Sequence, residues 1–350
     1  MYQTKPWYWP VLYFIDLLGY ILVKPFVILK RFDETRIKKI LVIRIDEIGD
    51  VILTTPVLRA LKKRFPGASL TMLMKDQTKE LLLTNPNVDN IIIARSWFKE
   101  KFSLRDFFQL INQLKKQKFD LTVELHTDPR NILLGFLASR YVIGFGYRGF
   151  GFLLDKKAHY RKKHIIEQNL DVVRLVGADA DARLELFFSK KDEEKINAVV
   201  KEEKSKKLIC INPGTGRKNK FWLNERWAAL ADILIGKYKA SITFTGSKDE
   251  KELIAAIQKK MKHPSRDLTG KLALLELAAL IKKCDLFLGP DTGPLHIARA
   301  VGTNLIGLFG PVDPNVWGYM EKKYRSIYKK TGRTEDIKVE DVLPVIGELL

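Results

Sequence analysis

From Lys39 onward the chain alternates β-branched apolar runs with amphipathic stretches, and past residue 206 the same alternation begins again. That repeat of pattern constrains the fold more than any single motif. Near-continuous apolar runs suit strands of a parallel sheet covered on both faces, and the amphipathic stretches between them suit the crossover helices that cover it. KILVIRI (39–45) reads as the first strand and VILTTPVLRALKKRF (51–65) as the helix after it. SLTMLM, NIIIA, DLTVEL and YVIGF read as further strands, separated by helices such as LRDFFQLINQLKKQ (104–117). A polar connector (177–183) and a Lys/Glu-rich helix (191–206) precede the second series: KLICIN, ASITFTG, DLFLG and NLIGLFG, with helices over 225–237, 250–261 and 273–283. The expectation is an α/β chain of two Rossmann-like, doubly wound domains, 39–180 and 181–350, after a distinct segment 1–38. A length of 350 residues suits two such domains. They are expected to face each other across an interdomain cleft, with the site assembled from strand ends of both halves.

Charge gives the first indication of a partner. The chain has 61 basic and 41 acidic residues, a net +20, which favours polyanions: nucleic acid, an anionic membrane or a phosphorylated substrate. No helix-turn-helix, zinc-finger spacing or RNA-binding aromatic signature accompanies the basic clusters, so nucleic acid is not expected as a partner. Cys210 and Cys284 lie singly in apolar runs, which excludes a disulfide framework and a structural zinc site.

Residues 7–29 are almost wholly apolar and aromatic. A helix over 11–29 would be about 28 Å long, close to a bilayer core. Asp16, Tyr20 and Lys24 recur every four residues as a narrow polar stripe, and Pro25 would bend or end the helix. Trp7, Tyr8 and Trp9 precede the run; Lys30, Arg31, Arg36, Lys38 and Lys39 follow it. The pattern fits a helix lying in a membrane interface with a polybasic flank, and also a helix packed on the protein's own surface. It lacks the basic start and small-residue cleavage site of a signal peptide.

Three strand-end segments have chemistry. The first strand runs into Asp46-Glu47-Ile48-Gly49-Asp50, with Gly49 available for a tight turn and Asp50 at the start of the next helix. A carboxylate there caps a helix or serves as a general base. KLICIN opens into Pro213-Gly214-Thr215-Gly216-Arg217-Lys218-Asn219-Lys220, where small residues admit an anion and Thr215, Arg217, Lys218 and Lys220 offer donors to a diphosphate. The spacing is not that of a Walker A loop. In Gly289-Pro290-Asp291-Thr292-Gly293-Pro294-Leu295-His296, Thr292 can cap and Pro294 can occupy the first helical turn, whose N–H groups would seat a phosphate. His296 would bind phosphate or sugar there, or simply pack.

Two other matches weigh less. Gly144 to Gly149 fits G-x-G-x-x-G but follows a late strand and leads into no clear helix, so it reads as a loop. Asp179-Ala180-Asp181 lies in the connector, away from any strand end. No cluster has metal-ligand spacing, and no Ser or Cys sits in a nucleophile elbow.

Taken together, residues 43–56 (IRIDEIGDVILTTP), 212–222 (NPGTGRKNKFW) with ERW at 225–227, and 289–298 (GPDTGPLHIA) with GLFGP at 307–311 resemble glycosyltransferase family 9, the bacterial heptosyltransferases of the lipopolysaccharide inner core. The resemblance spans Lys39 to about Tyr319. It implies a GT-B fold, an ADP-heptose donor held by the C-terminal domain and an anionic lipid-linked acceptor held by the N-terminal one. By the same resemblance Asp50 matches the catalytic base, and Thr215, Gly216 and Lys220 match the donor-phosphate loop. Asp291, Thr292, Gly293, Pro294, Leu295 and His296 match the donor loop, Asp249 or Glu250 the ribose-binding acid, and Leu272 the region packed on adenine. Arg44, Arg59, Arg64, His126 and Arg130 are candidates for the acceptor. The segment before Lys39 departs from the usual start of the family.

The reaction expected is an inverting transfer in which Asp50 takes the acceptor proton, while Lys220 and a helix N-terminus receive the charge of the leaving diphosphate without metal or cofactor. The setting expected is the cytoplasmic face of the inner membrane. The rival readings are a GT-B transferase using another nucleotide sugar on a different polysaccharide, and a non-catalytic nucleotide- or polyanion-binding protein.

Overall fold

The computed structural model describes residues 9–94, 103–126, 128–146, 149–201 and 206–350. The chain divides into two compact units, Met1–Arg183 and Leu184–Leu350.

The first unit holds six parallel strands: β1 Lys39–Ile43, β2 Ser69–Met74, β3 Asn90–Ile93, β4 Phe119–Glu124, β5 Ser139–Phe145 and β6 Lys156–Ala158, in the order β3-β2-β1-β4-β5-β6. Ile40 to Ile43 are all buried, as a central strand covered on both faces requires. The helices of the unit are α1 Trp9–Leu22, α2 Lys24–Ile28, α3 Ile48–Ile52, α4 Thr55–Arg64, α5 Leu104–Gln117, α6 Pro129–Ala138 and α7 Ile165–Arg174. Strand order reverses between β1 and β4, where Ile43 lies beside Glu124. Such a reversal leaves a crevice at the carboxyl ends of the two strands.

The second unit repeats the plan. Its strands are β7 Leu208–Ile211, β8 Ser241–Phe244, β9 Arg266–Asp267, β10 Leu286–Pro290, β11 Leu305–Phe309, β12 Met320–Glu321 and β13 Tyr324–Tyr328, in the order β12-β13-β11-β10-β7-β8-β9. All pairings are parallel except β12 with β13. The helices are α8 Lys190–Val199, α9 Asn224–Tyr238, α10 Lys251–Gln258, α11 Leu274–Lys283, α12 Gly293–Val301, α13 Pro314–Trp317 and α14 Val339–Leu349. Here the order reverses between β7 and β10. The core beside this sheet joins Trp222, Trp227, Phe244, Ile306 and Val342.

Three local expectations are corrected. Residues 51–65 form no single helix: α3 ends at Ile52 and α4 starts at Thr55. Pro56 has no N–H to give the Ile52 carbonyl, and the Thr55 hydroxyl donates to it instead at 2.8 Å. Gly49 is a helical residue of α3 rather than a tight turn. The N-terminal stretch is likewise two helices, with Pro25 in the first turn of α2. Among the described residues no helix is long and apolar enough to cross a membrane. Trp7, Tyr8, Tyr147, Arg148 and part of the 191–206 stretch lie outside the described residues.

Candidate functional site

Each unit concentrates polar side chains at the carboxyl ends of its two reversal-point strands. In the first unit, Arg44 follows β1 and is 3% exposed. Its Nη2 donates to Asp50 Oδ1 at 2.8 Å, its Nη1 donates to the Leu125 carbonyl, and Nε lies 3.8 Å from Asp46 Oδ2. Asp50 sits in the first turn of α3 and keeps 21% of its side chain exposed, against 4% for Arg44. The cluster therefore presents a carboxylate outward and hides the guanidinium that orients it. Glu47, not Asp50, occupies the position before α3, so the capping role is not what Asp50 performs.

Behind Asp50 lies a second layer. His126 Nε2 is 3.4 Å from Asp46 Oδ2, and the Asp128 N–H donates to His126 Nδ1 at 3.1 Å. A neutral ring that accepts at Nδ1 keeps its hydrogen on Nε2, facing Asp46. Burial and the nearby Arg44 guanidinium lower the His126 pKa to about 4, so the ring is neutral at pH 7. Glu124, fully buried at the end of β4, accepts the His126 N–H at 2.7 Å. Burial pushes its carboxyl well above the ordinary range, with the Asp128 carboxylate acting in the same direction.

In the second unit the loop after β7 leads to Lys220, which is 8% exposed. Its Nζ donates to Asp291 Oδ2 at 2.5 Å and to the Asp291 carbonyl at 2.9 Å. Asp291 follows β10, so the reversal point brings together residues 71 positions apart. Trp222 fixes the chain just beyond Lys220 by donating its indole N–H to the Ile337 carbonyl at 2.7 Å and by packing edge-on to Trp227. On the far side of Asp291, His296 Nε2 lies 3.8 Å from Oδ1, and His296 Nδ1 is 2.7 Å from the Tyr319 hydroxyl. Burial raises the Tyr319 pKa, so this phenol stays protonated and shares a hydrogen bond with Nδ1. Lys220, Asp291, His296 and Tyr319 thus form one buried polar chain.

The glycines of this loop differ sharply. A Cβ on Gly214 would stand 1.9 Å from Glu250 Oε1, whereas one on Gly216 would meet nothing within 4 Å. Glu250 is half-buried against Gly214 and Gly246 and accepts the Ser247 N–H at 2.6 Å; Asp249 is exposed. Of the two acids, Glu250 is the one at the strand ends. Thr215 accepts the Arg217 N–H at 3.2 Å, Arg217 and Lys218 are exposed, and Leu272 is half-buried before α11. Thr292 occupies the position before α12, but its hydroxyl is directed at the Pro290 carbonyl and caps nothing. Gly293, Pro294 and Leu295 form the first turn of α12; the Thr292 side chain takes up none of its N–H groups, and the Leu295 N–H donates to the Thr292 carbonyl at 3.1 Å.

The acceptor candidates separate. Arg44 is a buried support for Asp50 rather than a side chain open to a substrate. His126 belongs to the same cluster, and Arg130, after Asp128, forms an ion pair with it. Arg59 donates to Asp181 and to the Arg183 carbonyl, which also accounts for one aspartate of the 179–181 motif; Arg174 takes the other. Arg64 ends α4 and pairs with Glu34, ahead of β1, at the end of the strands opposite to Asp50. Geometry thus brings Arg44, His126 and Arg130 to the Asp50 end and leaves Arg59 and Arg64 away from it. Gly144 serves packing: a Cβ there would stand 3.0 Å from the Glu124 backbone oxygen.

Sequence reasoning missed Asp46, Glu124 and Asp128 in the first unit and Tyr319 in the second. Glu124 had a visible signal, a carboxylate inside the apolar run DLTVEL. Tyr319 had none, because it meets His296 only through the tertiary fold. Among the described residues no group of three or more ligating side chains is placed to hold a metal ion.

Comparison with known proteins returns a consistent set. The model of glycosyltransferase family 9 (heptosyltransferase) matches residues 107–346. Lipopolysaccharide heptosyltransferase 3 of Escherichia coli is 31% identical over 290 residues, covering 77% of this chain and 82% of that protein. A family 9 glycosyl transferase from Veillonella parvula superposes with a TM-score of 0.80 at 22% identity, over 91% of this chain and 98% of that one. E. coli ADP-heptose LPS heptosyltransferase II superposes at 0.74 and 22% identity, over 89% and 98%.

Proposed function

The chain belongs to glycosyltransferase family 9, and on that premise we propose that it transfers a heptose from ADP-heptose to a hydroxyl of a lipopolysaccharide inner-core acceptor. It is a glycosyltransferase of the α/β GT-B fold. The observation that carries the finer reading is the Lys220–Asp291 pair, set at the β7/β10 reversal point inside the segment the family model matches. Its support comes from chemistry and from the named relatives together: a fixed cation beside the first turn of α12 suits a nucleoside diphosphate, and ADP-heptose is named for one of the structural neighbours.

In this reading Asp50 accepts the proton of the acceptor hydroxyl as its oxygen bonds to the anomeric carbon. The bond from that carbon to the diphosphate breaks on the opposite face, and ADP leaves with the electron pair, inverting the configuration. An ammonium has three hydrogens; Lys220 gives two to Asp291 and has the third for a phosphoryl oxygen. The α12 N–H groups add to that stabilisation. The reaction as proposed calls on no metal or cofactor. Its acceptor is an anionic, lipid-linked sugar, so catalysis takes place at the inner-membrane surface.

Incubation with ADP-heptose and truncated core lipids, followed by mass spectrometry, tests the reading. A product heavier by one heptose, formed equally in EDTA, is expected. No product, together with a larger rise in melting temperature from UDP or GDP than from ADP, would transfer the site to another nucleotide sugar. Salt-sensitive binding to oligonucleotides without any transfer would make the protein a polyanion binder instead.

A further inference from the structure

The helix α1 is docked the wrong way round for a soluble protein. Its polar stripe faces the first unit. The Asp16 carboxyl is turned to the backbone N–H groups of Gly149, Phe150 and Gly151. A Cβ on Gly151 would stand 3.2 Å from the Tyr20 hydroxyl, and the Tyr20 ring meets Phe152 edge-on at 6.2 Å. Lys24 Nζ donates to the Leu154 carbonyl at 2.6 Å. Gly19 makes this approach possible, since a Cβ there would fall 2.2 Å from the Phe152 ring. Ile15 and Val23 complete the seal against Phe152, Leu153 and Leu154.

What remains outside is largely apolar, with Tyr13 and part of Tyr20 beside it. Eleven of the nineteen large hydrophobic side chains exposed among the described residues lie between Val11 and Leu29. Phe14, Leu17, Ile21 and Leu22 on α1 are each about 60% exposed, and Phe26, Ile28 and Leu29 more so. Scattered apolar residues on a surface need no explanation, but a concentrated patch of this kind marks a contact surface. Asp16 and Lys24 are turned to the protein's own loop, and apart from the exposed Tyr13 and the partly exposed Tyr20 the outer face is suited to hydrocarbon. Basic groups stand at its base: Arg31 and Lys157 are exposed there, Lys157 close enough to act electrostatically on both Asp16 and Lys24. At 14 residues α1 is too short to span a bilayer, and an apolar face with a cationic margin fits the plane of an anionic headgroup region.

We propose that α1 and α2 form a monotopic docking surface for an anionic lipid bilayer, with Phe14, Leu17, Ile21 and Phe26 entering the acyl boundary while the Asp16–Tyr20–Lys24 stripe rivets the helices to the 149–154 loop. The surface holds the first unit, and with it Asp50, at a fixed attitude to the membrane. The inference rests on the reading above that the acceptor is lipid-linked, and it extends that reading by naming the contact.

The test is flotation of the full chain with vesicles of phosphatidylethanolamine and phosphatidylglycerol. Wild type is expected to float, and Phe14→Ser/Leu17→Ser/Ile21→Ser to bind at least tenfold more weakly with an unchanged melting temperature. Cys210 and Cys284 are both buried, so a polarity-sensitive fluorophore on Leu17→Cys reports the local environment and should shift to the blue only with vesicles. Equal flotation of the triple variant, no blue shift, or a concentration-dependent dimer abolished by the triple substitution would overturn the proposal. Transfer to a water-soluble, deacylated acceptor separates the two readings: the triple variant should retain it and lose transfer to vesicle-embedded acceptor. Absence of transfer by wild type to either acceptor would sink the function while flotation still decides the docking surface.

Discussion

Lys220 Nζ is bonded to both the carboxylate and the main-chain carbonyl of Asp291, at 2.5 and 2.9 Å, so one aspartate fixes the cation at two points. The pair is buried and its members come from loops after β7 and β10. Such an arrangement holds the ammonium in place before any ligand arrives, as the proposed stabilisation of a leaving diphosphate would require. It also means that neither residue is replaceable singly.

Breaking a buried pair by removing one partner strands the other charge, at a cost of about 3–5 kcal/mol. Lys220→Met and Asp291→Leu are each expected to lower unfolding free energy by that order in urea titrations. The double substitution is expected to be milder than either alone, because no charge is then left unpaired. Lys220→Arg should not rescue transfer, since a buried position filled by a compact ammonium would have to admit a larger planar guanidinium.

Asp50 and Arg44 invite a kinetic test. Asp50→Asn removes the proposed base while keeping a hydrogen-bonding group of the same size, and transfer is expected to fall by roughly 10²–10⁴ with ADP affinity retained. Arg44→Lys shortens the reach needed to hold both the Leu125 carbonyl and Asp50. A fall in kcat of about 10²-fold with the donor KM unchanged would identify Arg44 as a positioning residue. A rise in acceptor KM alone would restore it as an acceptor contact.

The strands and most helices were legible because parallel-sheet strands are apolar along their whole length, and LRDFFQLINQLKKQ forms a helix over the residues its periodicity marks. The strand-end motifs were legible too, since Gly, Pro and charged residues interrupt those apolar runs. Pairings were not. Nothing in the spacing of Lys220 and Asp291 reveals that they meet, and Arg44 read as an acceptor candidate because its burial depends on the chain just after β4, some 80 residues later. The stripe Asp16-Tyr20-Lys24 was visible as a pattern, but its direction was decided by Gly19 and by backbone groups of a loop far along the chain.

His126 and Glu124 give the first unit an opposed pH response. His126 has a folded pKa near 4 against 6.5 when unfolded, so below pH 6.5 the unfolded chain binds the extra proton. Its contribution is complete above pH 6.5 and is lost as pH falls toward 4, a change of about 3 kcal/mol at roughly 1.4 kcal/mol per pH unit. Glu124 has a raised folded pKa, so its contribution is complete below pH 4.5 and fades as pH rises toward the folded value. Glu124→Gln should therefore steepen the loss of stability on acidification from pH 6.5, and His126→Gln should flatten it, both read by urea unfolding at a series of pH values.

The two glycines of Pro213-Gly214-Thr215-Gly216 give the sharpest test of the donor side. Gly214→Ala puts a methyl group 1.9 Å from Glu250 Oε1, and the carboxylate has to move. If Glu250 holds the ribose of the nucleotide, ADP binding measured by calorimetry should weaken by about tenfold or more, the worth of one charge-assisted hydrogen bond. Gly216→Ala meets no atom within 4 Å and should leave ADP binding unchanged. Glu250→Gln, which keeps the shape and removes the charge, should resemble Gly214→Ala. Equal ADP affinity in all three variants would take Glu250 out of the donor site and leave Lys220 and the first turn of α12 as its recognition elements.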